Sequence, residues 1–289
     1  MPLDDPWFNP PSSLPVSKNK QGNANAHAAK LIQITDLHLF ADQESCYFHG
    51  NTYQNLLNVL SHIAQHHGDA DALIMTGDIT QDHTTASYQL LQQTLQQAIA
   101  KSNLALPVVW LPGNHDEVAL MNEHFFAAPF MTEKYLKVAD WHILLCNSKG
   151  STPAGWISEE HQSEIIHVLN AIPENEHAIL FCHHHPLPID GYLDKHILEN
   201  GSGWLTNVSQ YPQVRCIFHG HVHNEYHINF KQIDIFATPA TSIQFEKQTV
   251  DWQISQLPPA YRVILLPLSK TEAHCTQPAT IETFVEWLA

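Results

Sequence analysis

The sequence predicts an α/β domain with two sheets and helices on the outside. Two observations carry that expectation. Short apolar runs alternate with amphipathic segments between residues 31 and 111, a βαβαβ order, and further apolar runs with fewer helices between them fill the second half. A length of 289 residues is compatible with one core.

Residues 31–35 (LIQIT) read as the first strand, with too little alternation for a face exposed to water. Residues 55–66 set Leu56, Val59, Leu60 and Ile63 at helical spacing. Residues 72–76 (ALIMT) form the second predicted strand. A second helix follows over 84–100 on the Tyr88, Leu91, Leu95 and Ile99 stripe, then a third strand over 107–111. Residues 135–138 and 141–146 predict a hairpin turning at Ala139 and Asp140. The helix expected over 158–171 has Ser158 as its N-cap and Pro173 beyond its end. Strands are expected over 178–182, 214–218, 227–230, 233–236 and 261–266.

The ends read differently. Residues 1–30 are polar and proline-rich, lack the apolar core of a signal peptide, and are expected to form a tail outside a domain spanning 31–270. Residues 271–289 carry Ile281, Phe284, Val285 and Leu288 at a spacing that predicts a short helix capping the core. No apolar run reaches the length of a membrane-spanning helix, so no membrane partner is expected. Five cysteines form no C-x-x-C pair; Cys146, Cys182 and Cys216 lie in apolar runs and are expected as buried thiols, which points to a cytoplasmic location.

Thirteen Lys and Arg against 29 Asp and Glu give a net charge of −16. Such a surface repels phosphate backbones, which excludes non-specific nucleic-acid binding as the main role. The 22 histidines weaken any argument from a lone imidazole, so only spacing and position carry weight.

Position is informative, because five polar clusters begin where five predicted strands end. They are Asp36-Leu37-His38, Gly77-Asp78, Gly113-Asn114-His115-Asp116, His183-His184-His185 and His219-Gly220-His221-Val222-His223. Ligands of open α/β sheets bind beyond the carboxyl ends of strands, so the clusters can converge on one crevice. Carboxylates, an amide oxygen and imidazoles without thiolate suit divalent first-row metals such as Mn, Fe, Co or Zn.

The series D-x-H, GD, GNHD, a strand-end His and GH-x-H resembles the calcineurin-like metallophosphoesterase superfamily, over about residues 31–268. The stretches QITDLHLF, TGDITQD, WLPGNHD, HHHPLP, GHVHNE and ATPATSIQF resemble more narrowly the bacterial class III cyclic-AMP phosphodiesterases. The resemblance implies a four-layer αββα sandwich of mixed sheets holding two metal ions at one edge. It implies Asp36, His38 and His223 on the first ion, Asn114, His183 and His221 on the second, and Asp78 bridging both. In the triple histidine, His183 is the first residue past the apolar run, His184 competes for the role, and His185 is expected to support. His115 is implied as the acid at the leaving oxygen, with Asp116 orienting its ring; substrate contacts fall to His38, Asp78, Asn114, His115 and His223.

The implied reaction is hydrolysis of 3',5'-cyclic AMP to 5'-AMP by a metal-bridging hydroxide. The expected cofactors are two divalent or mixed-valent transition metal ions, Fe and/or Mn first, with Zn or Co as alternatives. A glycerophosphodiesterase, nucleotide pyrophosphatase or phosphatase of the same fold would use the same ligands. A non-catalytic scaffold would be expected to have lost Asn114 or His115, and both are present. The expected partner is a cyclic nucleotide, and the protein is expected as a monomer or homodimer.

Overall fold

The computed structural model describes residues 6–15, 27–102, 106–268 and 280–288. In chain order its first half runs β1 (Ser12–Ser13), β2 (His27–Ile34), β3 (Cys46–Tyr47), β4 (Gly50–Asn51), α1 (Thr52–His66), β5 (Ala72–Thr76), α2 (Thr85–Ser102), β6 (Val108–Leu111) and α3 (Val118–His124). The second half runs β7 (Tyr135–Val138), β8 (Trp141–Leu145), α4 (Glu159–Ala171), β9 (His177–Phe181), α5 (Gly201–Val208), β10 (Val214–His219), β11 (Tyr226–Phe230), β12 (Ile233–Ala237), β13 (Ala260–Pro267) and β14 (Glu282–Trp287).

Two mixed sheets form. One has five strands in the order β14-β13-β2-β5-β6, the other seven in the order β1-β7-β8-β9-β10-β12-β11, and β3 and β4 make a separate hairpin. Each central strand is apolar on both faces because both faces are covered. Along β2, Ile32 and Ile34 turn toward the helices α1 to α3, while Leu31 turns inward with Ile74, Val109 and Ile264. Along β9, Ile179 and Phe181 turn inward to meet that set, and Ala178 and Leu180 face α4 and α5. The inner cluster therefore glues sheet to sheet, and the two outer clusters glue helices to each sheet. This is the four-layer sandwich of mixed sheets and flanking helices.

Parallel neighbours β2, β5 and β6 bring their carboxyl ends to one edge. Parallel β8, β9, β10 and β12 bring theirs to the same edge from the other sheet. Ser158 caps α4, its hydroxyl accepting the His161 N–H at 3.1 Å. Cys146, Cys182 and Cys216 are buried free thiols, as expected.

Two expectations about the ends are corrected. The C-terminal segment holds a strand rather than a helix: β14 pairs antiparallel with β13 from Leu265↔Glu282 to Ala260↔Trp287. The edge of β13 offers unpaired backbone groups, and Thr283, Phe284, Val285 and Trp287 favour a pleated surface, so pairing overrides the helical spacing. The tail boundary at 30/31 is also wrong. β2 already begins at His27, and residues 6–15 lie on the seven-stranded sheet, where β1 pairs with β7. Phe8 and Leu14 are buried there, and the Trp7 indole N–H donates to the Leu145 carbonyl at 2.6 Å. The remaining residues of 1–30, and residues 271–279, lie outside the described residues.

Candidate metal centre

The loops leaving β2 and β5 run side by side. The Asp36 N–H donates to the Gly77 carbonyl and the His38 N–H to the Asp78 carbonyl, each at 3.0 Å. The loop after β10 crosses from the other sheet: the His221 N–H donates to the Asp36 carboxylate at 3.0 Å, and the Gly220 N–H to the His183 carbonyl at 3.1 Å. The fit leaves no room for a side chain at two glycines. A Cβ at Gly113 would collide with the Asp78 carboxylate, and one at Gly220 with the Thr35 hydroxyl.

All seven residues expected as ligands come together. His38 Nε2 and His223 Nε2 lie 3.1 Å apart, with Asp36 Oδ1 3.3 Å from the latter and Asp78 Oδ2 3.7 Å from the former. On the other side His183 Nε2 lies 3.2 Å from both Asn114 Oδ1 and His221 Nδ1, and 3.4 Å from Asp78 Oδ1. Asp78 thus turns one oxygen to each imidazole set.

The opposite ring nitrogens explain why the inward ones matter. His38 Nδ1 meets the Gln81 side-chain oxygen at 2.8 Å, His183 Nδ1 the Thr76 carbonyl at 2.7 Å, and His223 Nδ1 the Ile243 carbonyl at 2.7 Å. Oxygens of this kind only accept, so each Nδ1 of a neutral ring carries the proton and each Nε2 presents a lone pair. At His38 and His223 the two lone pairs then face each other at 3.1 Å with no proton between them. That arrangement is repulsive unless a cation is shared, and the convergence of His183 Nε2, Asn114 Oδ1, His221 Nδ1 and Asp78 Oδ1 offers a second donor set, so the residues fit two metal ions. Two carboxylates, an amide oxygen and four imidazoles supply the ligand atoms, and the buried groups of Asp36, His38 and His223, and of Asp36, Asp78 and His183, each draw theirs close together.

The electrostatics reflect crowding. Burial pulls His38 down to about 3. Burial also opposes protonation of His183, but the adjacent Asp78 carboxylate outweighs it and lifts His183 to about 9. Burial raises Asp36 and Asp78, yet the neighbouring imidazoles, His223 and His183 first among them, hold both below the usual carboxylate range.

His184 is also buried beside His183, but its ring is engaged elsewhere: Nδ1 with the Ser148 hydroxyl at 2.9 Å and Nε2 with the Pro153 carbonyl at 3.3 Å. His185 Nε2 meets Asp194 at 3.2 Å. His115 sits at the rim, its N–H donating to Asp78 Oδ1 at 2.9 Å and its ring lying edge-on to His38. Burial lowers its pKa, with Asp78 opposing. Asp116 does not orient it. That carboxylate accepts from the Gly113 and Ile79 N–H groups and the Tyr88 hydroxyl, bracing the loops after β5 and β6. Burial and the Asp78 charge push Asp116 up to about 7.

Sequence reasoning missed several supports. Gln81 and Ser148 orient the imidazoles, Ser148 by accepting the His183 and His184 N–H groups, and Lys149 ties down the Asn114 carbonyl at 3.0 Å. Gln81 alone carried a signal, three residues after Asp78 in TGDITQD. Backbone conformation was missed entirely. Asp36, His38, Asp78, His221 and His223 all adopt positive φ, between 46° and 68°.

Residues 29–225 match the model of the calcineurin-like phosphoesterase family. A probable cyclic nucleotide phosphodiesterase of Pseudoalteromonas sp. (strain SM9913) is 42% identical over 90% of this chain and 94% of its own length. The 3',5'-cyclic adenosine monophosphate phosphodiesterase CpdA of Escherichia coli (strain K12) is 32% identical over 85% of this chain and 89% of its own. Among solved structures, a dimetal phosphatase from Danio rerio superposes with a TM-score of 0.59 at 10% identity, covering 83% of this chain and 93% of that one. At that identity the likeness speaks for the fold alone.

Proposed function

This chain belongs to the calcineurin-like phosphoesterase family, and from that premise we propose that it hydrolyses 3',5'-cyclic AMP to 5'-AMP with two metal ions. The observation that carries the chemistry is the pair of close imidazole sets, His38 with His223 and His183 with His221, with one Asp78 oxygen turned to each. The cyclic-nucleotide substrate rests on the relatives, whose names assign it to them along nearly their whole length.

Asp36, His38 and His223 would hold one ion, Asn114, His183 and His221 the other, and Asp78 would serve both. His183 takes the ligand role because its Nε2 lies among Asn114 Oδ1, His221 Nδ1 and Asp78 Oδ1, whereas the His184 ring nitrogens meet the Ser148 hydroxyl and the Pro153 carbonyl. Imidazole and oxygen donors without thiolate suit divalent first-row metals, among them Fe, Mn, Zn and Co. What such a pair supplies when bound is Lewis acidity toward the phosphate oxygens and acidification of water at neutral pH. The protein does the rest. Gln81, Thr76 and Ile243 fix the tautomers of the imidazoles, and full burial of Asp36 and Asp78 keeps bulk water from competing for them. His115, held over Asp78 by its own N–H, donates the proton that the departing O3' needs.

The test is product analysis on Mn-loaded protein offered 3',5'-cyclic AMP, 2',3'-cyclic AMP and bis(p-nitrophenyl) phosphate. Selective formation of 5'-AMP is expected, reduced on the order of 10²–10⁴-fold in His115→Ala with both metals retained. Turnover of the nitrophenyl ester alone would reject the cyclic-AMP assignment, and a fully active His115→Ala would reject the acid.

A further inference from the structure

The β3–β4 hairpin lies across the rim of the centre, and it carries a ring where backbone geometry does not favour one. Its two-residue turn is Phe48-His49, and Phe48 has a φ of 53°, a region that suits Gly or Asn in such turns and strains a bulky residue. Phe48 gains little burial in return, since it is 55% exposed. Sparse backbone conformations held against local preference cluster where ligands bind.

The ring's surroundings say what would bind. Tyr47 stacks on His38 at 4.6 Å, and Phe48 packs on Tyr47 at 4.7 Å, so the exposed face begins two ring steps from a residue of the metal centre. From the other side Phe245 stacks on His223 at 4.1 Å and meets Trp252 edge-on at 4.8 Å. Trp252 is 40% exposed, lies 5.8 Å from Phe48, and is braced by Tyr192 at 5.4 Å. Two separate stacks therefore rise from the two imidazoles that face each other and end in two neighbouring exposed rings.

We propose that Phe48 and Trp252 form a stacking platform for the base of the nucleotide whose phosphate lies at the metal centre. This rests on the cyclic-nucleotide reading above. A flat heteroaromatic ring is the occupant that fits, because it is joined to the phosphate by one ribose and the platform offers π-faces at about that reach. Stacking of this kind tolerates base identity, so the platform favours purines through their area rather than separating adenine from guanine.

The experiment uses Mn-loaded full-length protein and two substrates, 3',5'-cyclic AMP and the abasic ribose 3',5'-cyclic phosphate, which has the same phosphodiester and no base. The wild type is expected to prefer cyclic AMP about ten-fold in KM, a preference erased in Phe48→Gly/Trp252→Ala. Phe48→Gly alone separates binding from folding. Relieving the left-handed strain keeps or raises its Tm while KM for cyclic AMP rises; a lowered Tm with KM unchanged would make the ring structural and overturn the platform. A wild type that hydrolyses cyclic AMP with no preference over the abasic ester would also overturn it and leave the activity standing. Hydrolysis of neither substrate would instead remove the proposed function on which the platform rests.

Discussion

An aspartate whose two oxygens face different imidazole sets serves both halves of the site at once. Asp78→Ala should therefore lose both metals, read by elemental analysis after desalting; retention of two would contradict the shared role. The left-handed backbone makes a second prediction at this scale. At His38, with φ of 47°, an alanine has a Cβ to accommodate and a glycine does not, so His38→Gly should be about 1 kcal/mol more stable than His38→Ala in the metal-free protein. His183 lies outside the left-handed set, so there the glycine should have no such advantage. Urea unfolding of the four variants measures both differences. The identity of these residues was legible because polar letters follow apolar runs. Their backbone strain was not, since Asp and His enter the left-handed region more often than most residues yet mostly lie outside it, and it is imposed by bonds such as His221 N–H to Asp36 that close only in the fold. Nor could letters separate His183 from His184; both are buried beside His221, and only the second ring meets the Ser148 hydroxyl and the Pro153 carbonyl.

The long periodic helices α1, α2 and α4 formed where the sequence placed them, while short segments, periodic or not, were decided by their neighbours. α5 begins Gly-Ser-Gly, a poor helix start, and exists because Trp204, Leu205 and Val208 fill the outer face of the seven-stranded sheet. β14 exists because β13 needs a partner. The N-terminal segment is the sharpest case, because its polar and proline-rich letters conceal Phe8, which packs on the His161 ring at 5.2 Å and near Tyr135. Phe8→Ala should accordingly cost about 3 kcal/mol in urea unfolding, the scale of a buried aromatic deletion. A change within about 0.5 kcal/mol, normal for an exposed tail, would mean the segment does not contribute to the fold.

Across the whole molecule, imidazoles make stability depend on pH. Burial holds His67 and His142 below their ordinary value, so the fold takes up their protons at a lower pH than the unfolded chain, which protonates them near 6.5. Below that pH the unfolded state binds more protons, and stability falls as pH drops, by up to about 1.4 kcal/mol per unit for each residue. Urea midpoints at pH 7.5 and 5.5 should show the decline, and His67→Gln should flatten it; equal midpoints in the wild type would refute the sign. Metal should act on the same scale, since Asp36, His38, Asp78 and Asn114 follow strands of one sheet and His183, His221 and His223 strands of the other. Cations that bind only the closed sandwich stabilise it by mass action.

The strand order carries one more consequence, for the chain during synthesis. β2 is the middle strand of its sheet, with β5 on one side and β13 on the other. β5 leaves the ribosome soon after β2, but β13 does not exist until residues 260–267 have been translated. Through most of elongation the nascent protein must therefore carry an apolar strand with one open edge, the form most prone to pair with a neighbour. A message broken short of that point would yield more than two hundred residues of nearly complete sandwich with its central seam unsealed.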